Sequence, residues 1–210
     1  MGIIERRQRE REQREIDILE AARTVFAEKG YKRATINDIA REAQFSPGTL
    51  YLYFKNKEEL YTALAIDMLR NMTEENQKIA QQDSLSTEEK LSTLKKTFVK
   101  MYEYDPGVLI NLFHLQSADR LSELSPDTMK QIKKLSSQSM QAIAAIIRDG
   151  MEEGLFRRKH PMAVADMIWG ISSGIILWGE SKHQLDPGKN FVLGTLEAAF
   201  DIFFEGLKLK

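Results

Sequence analysis

Between positions 46 and 57 the chain collects Ser46, Pro47, Gly48, Thr49, Tyr51, Leu52, Tyr53, Lys55 and Lys57. Tyrosine hydroxyls and lysine ammonium groups suit phosphate oxygens, and an outward leucine suits the methyl group of thymine, so the chemistry open to this set is nucleic-acid recognition. Catalysis finds less support. The three histidines, His114, His160 and His183, have no metal-ligand spacing. Phosphate-binding loops and paired-histidine zinc helices are missing, and the serines of the GISSG run at 170–174 lie inside an expected helix rather than at a strand-to-helix nucleophile elbow. No enzyme, cofactor or metal is expected.

The elements that must position those residues can be read from caps and periodicity. Thr35 followed three residues later by Asp38 forms a capping-box pattern, and Ile36, Ile39, Ala40 and Ala43 then recur at helical spacing. Ser46 before Pro47 is a second start signal, because a hydroxyl caps the helix and the ring's fixed φ suits its first position. Only Gln44 and Phe45 lie between. Leu50 and Phe54 are four apart and form the buried anchor of the third helix. Rotation by about 100° per residue turns Gly48, Thr49, Leu52 and Lys55 outward and leaves Tyr51 and Tyr53 on the flanks. Gly48 permits close approach to a ligand. Upstream, Ile18, Leu19, Ala22, Val25 and Phe26 give a first helix over 11–29, with Gly30 as its left-handed cap. Downstream, Asn56 caps a fourth helix whose start carries Lys55 and Lys57, a phosphate site.

The runs ILEAARTVFAEKGYKRATINDIA and SPGTLYLYFKNKEEL resemble the DNA-binding domain of the tetracycline-repressor (TetR) family over residues 16–64. Phe26, Gly30, Thr35, Ile39, Ala40, Gly48, Leu50, Tyr51, Phe54, Lys57, Glu58 and Leu60 carry the likeness. The resemblance implies that Thr35, Tyr51, Tyr53 and Lys57 hold phosphates and that the exposed face of the third helix enters the major groove. It also implies an all-α fold in two parts, with a helical effector-binding and dimerisation domain following the helix-turn-helix.

Composition bounds this reading. The chain has 210 residues with 42% hydrophobic content, enough for a real core in one or two domains. Its formal net charge is only −1, but residues 1–57 hold 12 Lys and Arg against 9 Asp and Glu, placing a net +3 at the end with the motif. There are no cysteines, which excludes disulfides and thiolate metal sites and fits a reducing cytoplasm. No signal peptide is expected from GIIERRQREREQRE, which is charged where an apolar stretch would be needed. In that segment Arg6 with Glu10 and Arg11 with Glu15 make four-residue pairs, so a solvated extension of the first helix is favoured over an arm touching DNA.

The longest apolar run, 162–178, contains Asp166 and is short for a membrane span, so it reads as a buried helix. Gly170 and Gly174, four apart with Ser173 beside them, permit close helix approach. The last helix, 190–209, has an apolar face broad enough that Leu196, Phe200 and Phe203 join the two glycines as the expected dimer interface, a four-helix arrangement shared by two chains. Breaks are expected at 83–87, 105–107, 119–127, 154–161 and 182–188. Residues 1–56 form the DNA-binding domain, and 57–210 the effector and dimerisation domain. Met68, Met72, Phe98, Met101, Tyr102, Phe113, His114, Met140 and Trp169 are either plain core or the lining of a cavity. Asn111, His114 and Ser117 form a polar stripe that either faces solvent or supplies the polar side of that cavity.

The reading that follows is a cytoplasmic transcriptional regulator. It binds a palindromic double-stranded DNA operator as a homodimer and is released by a small apolar or amphipathic effector, with no membrane partner. The alternative is a helical interaction or enzyme-like protein on the same scaffold that no longer uses DNA.

Overall fold

The computed structural model describes residues 2–186, 188 and 191–209. Among the described residues there are ten helices: α1 (Ile3–Arg33), α2 (Ile36–Glu42), α3 (Pro47–Tyr51), α4 (Lys57–Ala80), α5 (Thr87–Tyr104), α6 (Pro106–Leu115), α7 (Ala118–Glu123), α8 (Pro126–Glu152), α9 (Pro161–Leu185) and α10 (Val192–Leu207). Among the described residues the only extended pairing is a single antiparallel bridge between Phe156 and Lys208. The chain divides into two compact units, Met1–Asp67 and Met68–Lys210. The division falls within α4, ten residues after Lys57.

In the first unit α1 begins well before the expected 11–29 span. Its solvated N-terminal turns are held by pairs such as Arg6 to Glu10 at 2.8 Å. Gly30 interrupts the helix at φ 71°, ψ 156°, and a further helical turn to Arg33 follows. The residue needs glycine's freedom, although the conformation is not the left-handed cap foreseen. Ile18, Ala22, Val25, Phe26, Ile39, Leu50, Phe54, Leu60 and Leu64 fill the core. Ile36 and Phe45 are half-buried. Phe26, Tyr31 and Tyr61 add an aromatic cluster, with Tyr31 stacked on Tyr61 at 4.6 Å between centroids.

The second unit is layered from α5, α6, α8, α9 and α10, together with the later turns of α4. Ser86, Asp105 and Ser125 cap α5, α6 and α8 through their side chains, the last two ahead of a proline at the first helical position. Phe98, Leu109, Ile143, Ile147, Ile168, Ile176, Leu196 and Phe200 lie in the core. Where one long break was expected over 119–127, α7 forms instead, because Ser117 and Ser125 each start a helix on either side of Leu124. Helix α9 runs to Leu185, into the break expected at 182–188. The last helix begins at Val192; Pro187 and Asn190 lie outside the described residues.

Candidate nucleic-acid interface and effector cavity

The helix-turn-helix forms as its caps dictate. The Thr35 hydroxyl donates to Asp38 Oδ2 at 2.8 Å and accepts from the Asp38 amide, while the Thr35 amide donates to the same carboxylate. Lys29 reaches Asp38 Oδ1 at 2.6 Å. The Lys29 ammonium, then the Thr35 hydroxyl, hold the Asp38 carboxyl well below its ordinary value, at about 2. Between α2 and α3 the chain turns through Gln44, whose φ of 57° is left-handed despite its side chain. Ser46 Oγ accepts from the Thr49 amide at 3.1 Å and starts α3.

Helix α3 is short, but backbone bonds from the Tyr53 and Phe54 amides to Leu50 O continue the turn. Leu50 and Phe54 are buried, as the spacing predicts, and Leu52 is 77% exposed. Ser46, Pro47, Gly48, Tyr51 and Lys55 are also exposed, Thr49 and Tyr53 half-buried. A Cβ on Gly48 would meet nothing closer than Ser46 Oγ at 3.7 Å, so its missing side chain leaves bare backbone facing outward rather than relieving a clash within the chain. Arg11 of α1 stands over the Tyr53 ring at 5.9 Å, which links the N-terminal extension to the recognition segment.

Lys57 has a role that sequence reasoning missed. Its ammonium donates to the carbonyls of Tyr31 at 2.7 Å, Ala34 at 3.0 Å and Lys32 at 3.5 Å, and lies 4.5 Å from the Tyr31 ring centroid. An ammonium has three N–H groups, and these carbonyls take all three. Asn56 caps α4 as expected, its Oδ1 accepting from the Glu59 amide at 2.7 Å.

In the second unit a cavity of about 460 Å³ opens beside α8. Leu69, Leu121, Met129, Ile132, Met140 and Trp169 give it apolar walls, and Gln116, Lys133, Ser136, Ser139 and Asp166 contribute polar groups. Of the sequence candidates, Met140 and Trp169 line it. Phe98 and Phe113 stand behind, edge-on to Trp169 at 6.2 and 5.3 Å. Met68 and Met72 are core residues, Met101 and Tyr102 are half-buried off the lining, and His114 is exposed. The stripe of Asn111, His114 and Ser117 does not reach the cavity; its neighbour Gln116 does, accepting from Trp169 Nε1 at 3.1 Å. The polar lining comes mostly from α8, whose KKLSSQSM run reads as a solvated face in sequence. Among the described residues no cluster of His, Cys, Asp or Glu could hold a metal ion.

Residues 18–64 match the family model for "Bacterial regulatory proteins, tetR family", and residues 84–182 match "Tetracyclin repressor-like, C-terminal domain". The chain belongs to the TetR family. It is therefore a DNA-binding transcriptional regulator. It is 26% identical over 191 residues to the HTH-type transcriptional regulator YfiR of Bacillus subtilis, covering 90% of this chain and 89% of that one. A B. subtilis "Fatty acid metabolism regulator protein" is 24% identical over 186 residues, covering 86% and 92%. Among solved structures, the transcriptional regulator FadR from B. subtilis in complex with stearoyl-CoA shares the fold, with a TM-score of 0.63 and 20% identity over 91% of this chain and 98% of that one.

In this TetR-family chain, α9 and α10 leave apolar rows uncovered. The stretch Pro161–His183 is long and apolar enough to cross a membrane by length and composition, yet only 28% of its most apolar window is buried. Ala163, Met167, Gly170, Gly174 and Trp178 follow one another along its exposed face at helical spacing. On α10, and on Phe191 just before it, the exposed row is Phe191, Ala198, Ile202 and, past the helix, Leu209. This corrects the expected interface: Leu196 and Phe200 are buried in the chain's own core, Phe200 against Phe98 and Phe204. They cannot face a partner. Phe203 is half-buried.

Proposed function

We propose that this regulator is a ligand-released repressor that works in the cytoplasm as a homodimer on a palindromic operator. The observation that carries the reading is the outward presentation of Gly48, Tyr51 and Leu52 on a helix anchored from behind by Leu50 and Phe54. Ser46, Pro47, Thr49, Tyr53 and Lys55 complete the DNA-facing set, with Thr35 at the start of α2. Leu52 reads a base methyl, while the tyrosine hydroxyls and Lys55 meet phosphates. Lys57 acts differently from the phosphate contact its position suggested: it fixes the Tyr31–Ala34 corner against the start of α4.

Pairing uses the exposed row around Gly170 and Gly174 together with Ile202, which sets the separation of two recognition helices to match the half-sites. A small apolar or amphipathic effector enters the cavity. Helix α4 begins beside the recognition segment and contributes Leu69 to the cavity wall, which supports a route for coupling along one helix. The effector releases DNA only if it prefers the form that binds DNA poorly. FadR, a structural neighbour, was captured with stearoyl-CoA, which supports an apolar ligand in a domain of this fold.

The test is a gel shift at low salt with the duplex upstream of the protein's own gene, against an unrelated duplex. Selective retention is expected. No retention, or equal retention of both duplexes, overturns the repressor reading.

A further inference from the structure

Three side chains of α8 that line the cavity, Lys133, Ser136 and Ser139, stand three residues apart and so lie one above another on a single helix face. Their hydrogen bonds are unevenly filled. Asn76, fully buried on α4, donates through Nδ2 to Ser139 Oγ at 2.9 Å, and Gln116 Nε2 donates to Ser136 Oγ at a long 3.4 Å. Each serine oxygen already accepts, so each hydroxyl hydrogen must point to some other acceptor. Buried Ser172 gives its hydrogen to the carbonyl four residues back, Ile168 O, at 2.8 Å. Ser139 makes no such bond to Leu135 O, the carbonyl four residues before it; the Thr73 hydroxyl, which donates to Leu69 O at 2.7 Å, lies 3.2 Å from that carbonyl. Among the described residues neither half-buried Ser136 nor buried Ser139 donates to any acceptor, and the exposed Lys133 ammonium makes no ion pair. The cavity therefore offers a row of unused donors beside an apolar wall.

We propose that the cavity takes a small apolar acid. Its carboxylate accepts from the Ser136 and Ser139 hydroxyls, with the Lys133 ammonium supplying the countercharge, and its hydrocarbon body lies against Leu69, Met140 and Trp169. The proposal rests on reading the cavity as the effector site. Hydrogen bonds to a charged acceptor are about twice as strong as neutral ones, which makes an acid the ligand that best fills such a row. The one carboxylate in the lining, Asp166 on α9, is exposed and opposes an anion. Its removal should strengthen binding.

The test is calorimetric titration of the full chain with decanoate and with decanol. Decanoate is expected to bind roughly tenfold more tightly than decanol, the factor that about one charged hydrogen bond provides. Lys133→Gln and Ser136→Ala should each shrink that preference, Asp166→Asn should enlarge it, and Met140→Trp, which fills the cavity, should abolish binding of both. Equal or tighter binding of the alcohol overturns the acid assignment, as does a preference that Lys133→Gln leaves intact. Binding of neither probe also overturns it, while the gel shift still decides the repressor reading independently.

Discussion

In Met1–Asp67 the capping and corner side chains that support the recognition segment are engaged by neighbours. Asp38 holds Thr35 and Lys29, Ser46 holds Thr49, Asn56 holds the Glu59 amide, and Lys57 holds three carbonyls. In Met68–Lys210 comparable groups are left open. Among the described residues Asn76 Oδ1 is buried with no hydrogen-bond partner, the donor row of α8 faces a cavity, and Met167, Trp178, Phe191 and Ile202 are exposed. Buried polar groups are ordinarily satisfied, so Asn76 Oδ1 and the Ser139 hydroxyl support the proposed ligand site, as the exposed apolar residues support the proposed pairing. The difference separates a surface fixed in advance, suited to reading a rigid duplex, from one completed by ligand and partner.

The largest effect should come from closing one of the open surfaces. Gly174 has no atom beyond its own helix and chain neighbours within 4 Å of an added Cβ, so Gly174→Leu leaves the chain's own packing intact while blocking close approach from outside. Sedimentation should then find a monomer, with DNA affinity lower by on the order of 100-fold as the two half-sites lose their linkage. A variant that stays dimeric moves the interface elsewhere.

A smaller effect is expected in the closed unit. Lys57→Ala removes hydrogen bonds from a charged group to three carbonyls and should lower the unfolding free energy by about 2 kcal/mol in urea titration. DNA binding should weaken with the slope of affinity against salt unchanged. A slope reduced by about one unit would instead return Lys57 to a direct phosphate contact.

The smallest effect is a pH dependence. Asp38 has its pKa lowered from 3.8 to about 2 on folding, so its contribution is fully present above 3.8 and disappears as pH falls toward about 2. Asp38→Asn should therefore show a shallower loss of thermal stability across that interval than the parent. Equal acid slopes would mean that the pair with Lys29 contributes nothing in solution.

The sequence was most legible where structure is local. Caps at Thr35, Ser46 and Asn56, the anchor pair Leu50 and Phe54, and the exposure of Leu52 all follow from spacing within a few residues. The partners of Lys57 are backbone carbonyls more than twenty residues upstream, and a carbonyl leaves no mark in side-chain sequence. Helix α10 is less legible for another reason: its apolar residues occupy two faces, and periodicity cannot say whether Leu196 and Phe200 or Phe191 and Ile202 turn to the core. The cavity lay hidden because Lys133, Ser136 and Ser139 follow the same pattern as a wet helix face. Only the packing of α4, α7 and α9 around them, with Gln116, forms it.

The uncovered row on α9 also ties the protein's durability to its abundance. Under the proposed pairing, association stabilises the folded chain by mass action, so the unfolding temperature rises with protein concentration. A scarce regulator would be the most fragile, losing operator occupancy and folded chains together, whereas an abundant one would protect itself. The same apolar row that makes α9 long and greasy enough to pass for a membrane helix would then act as a gauge of how many copies are present.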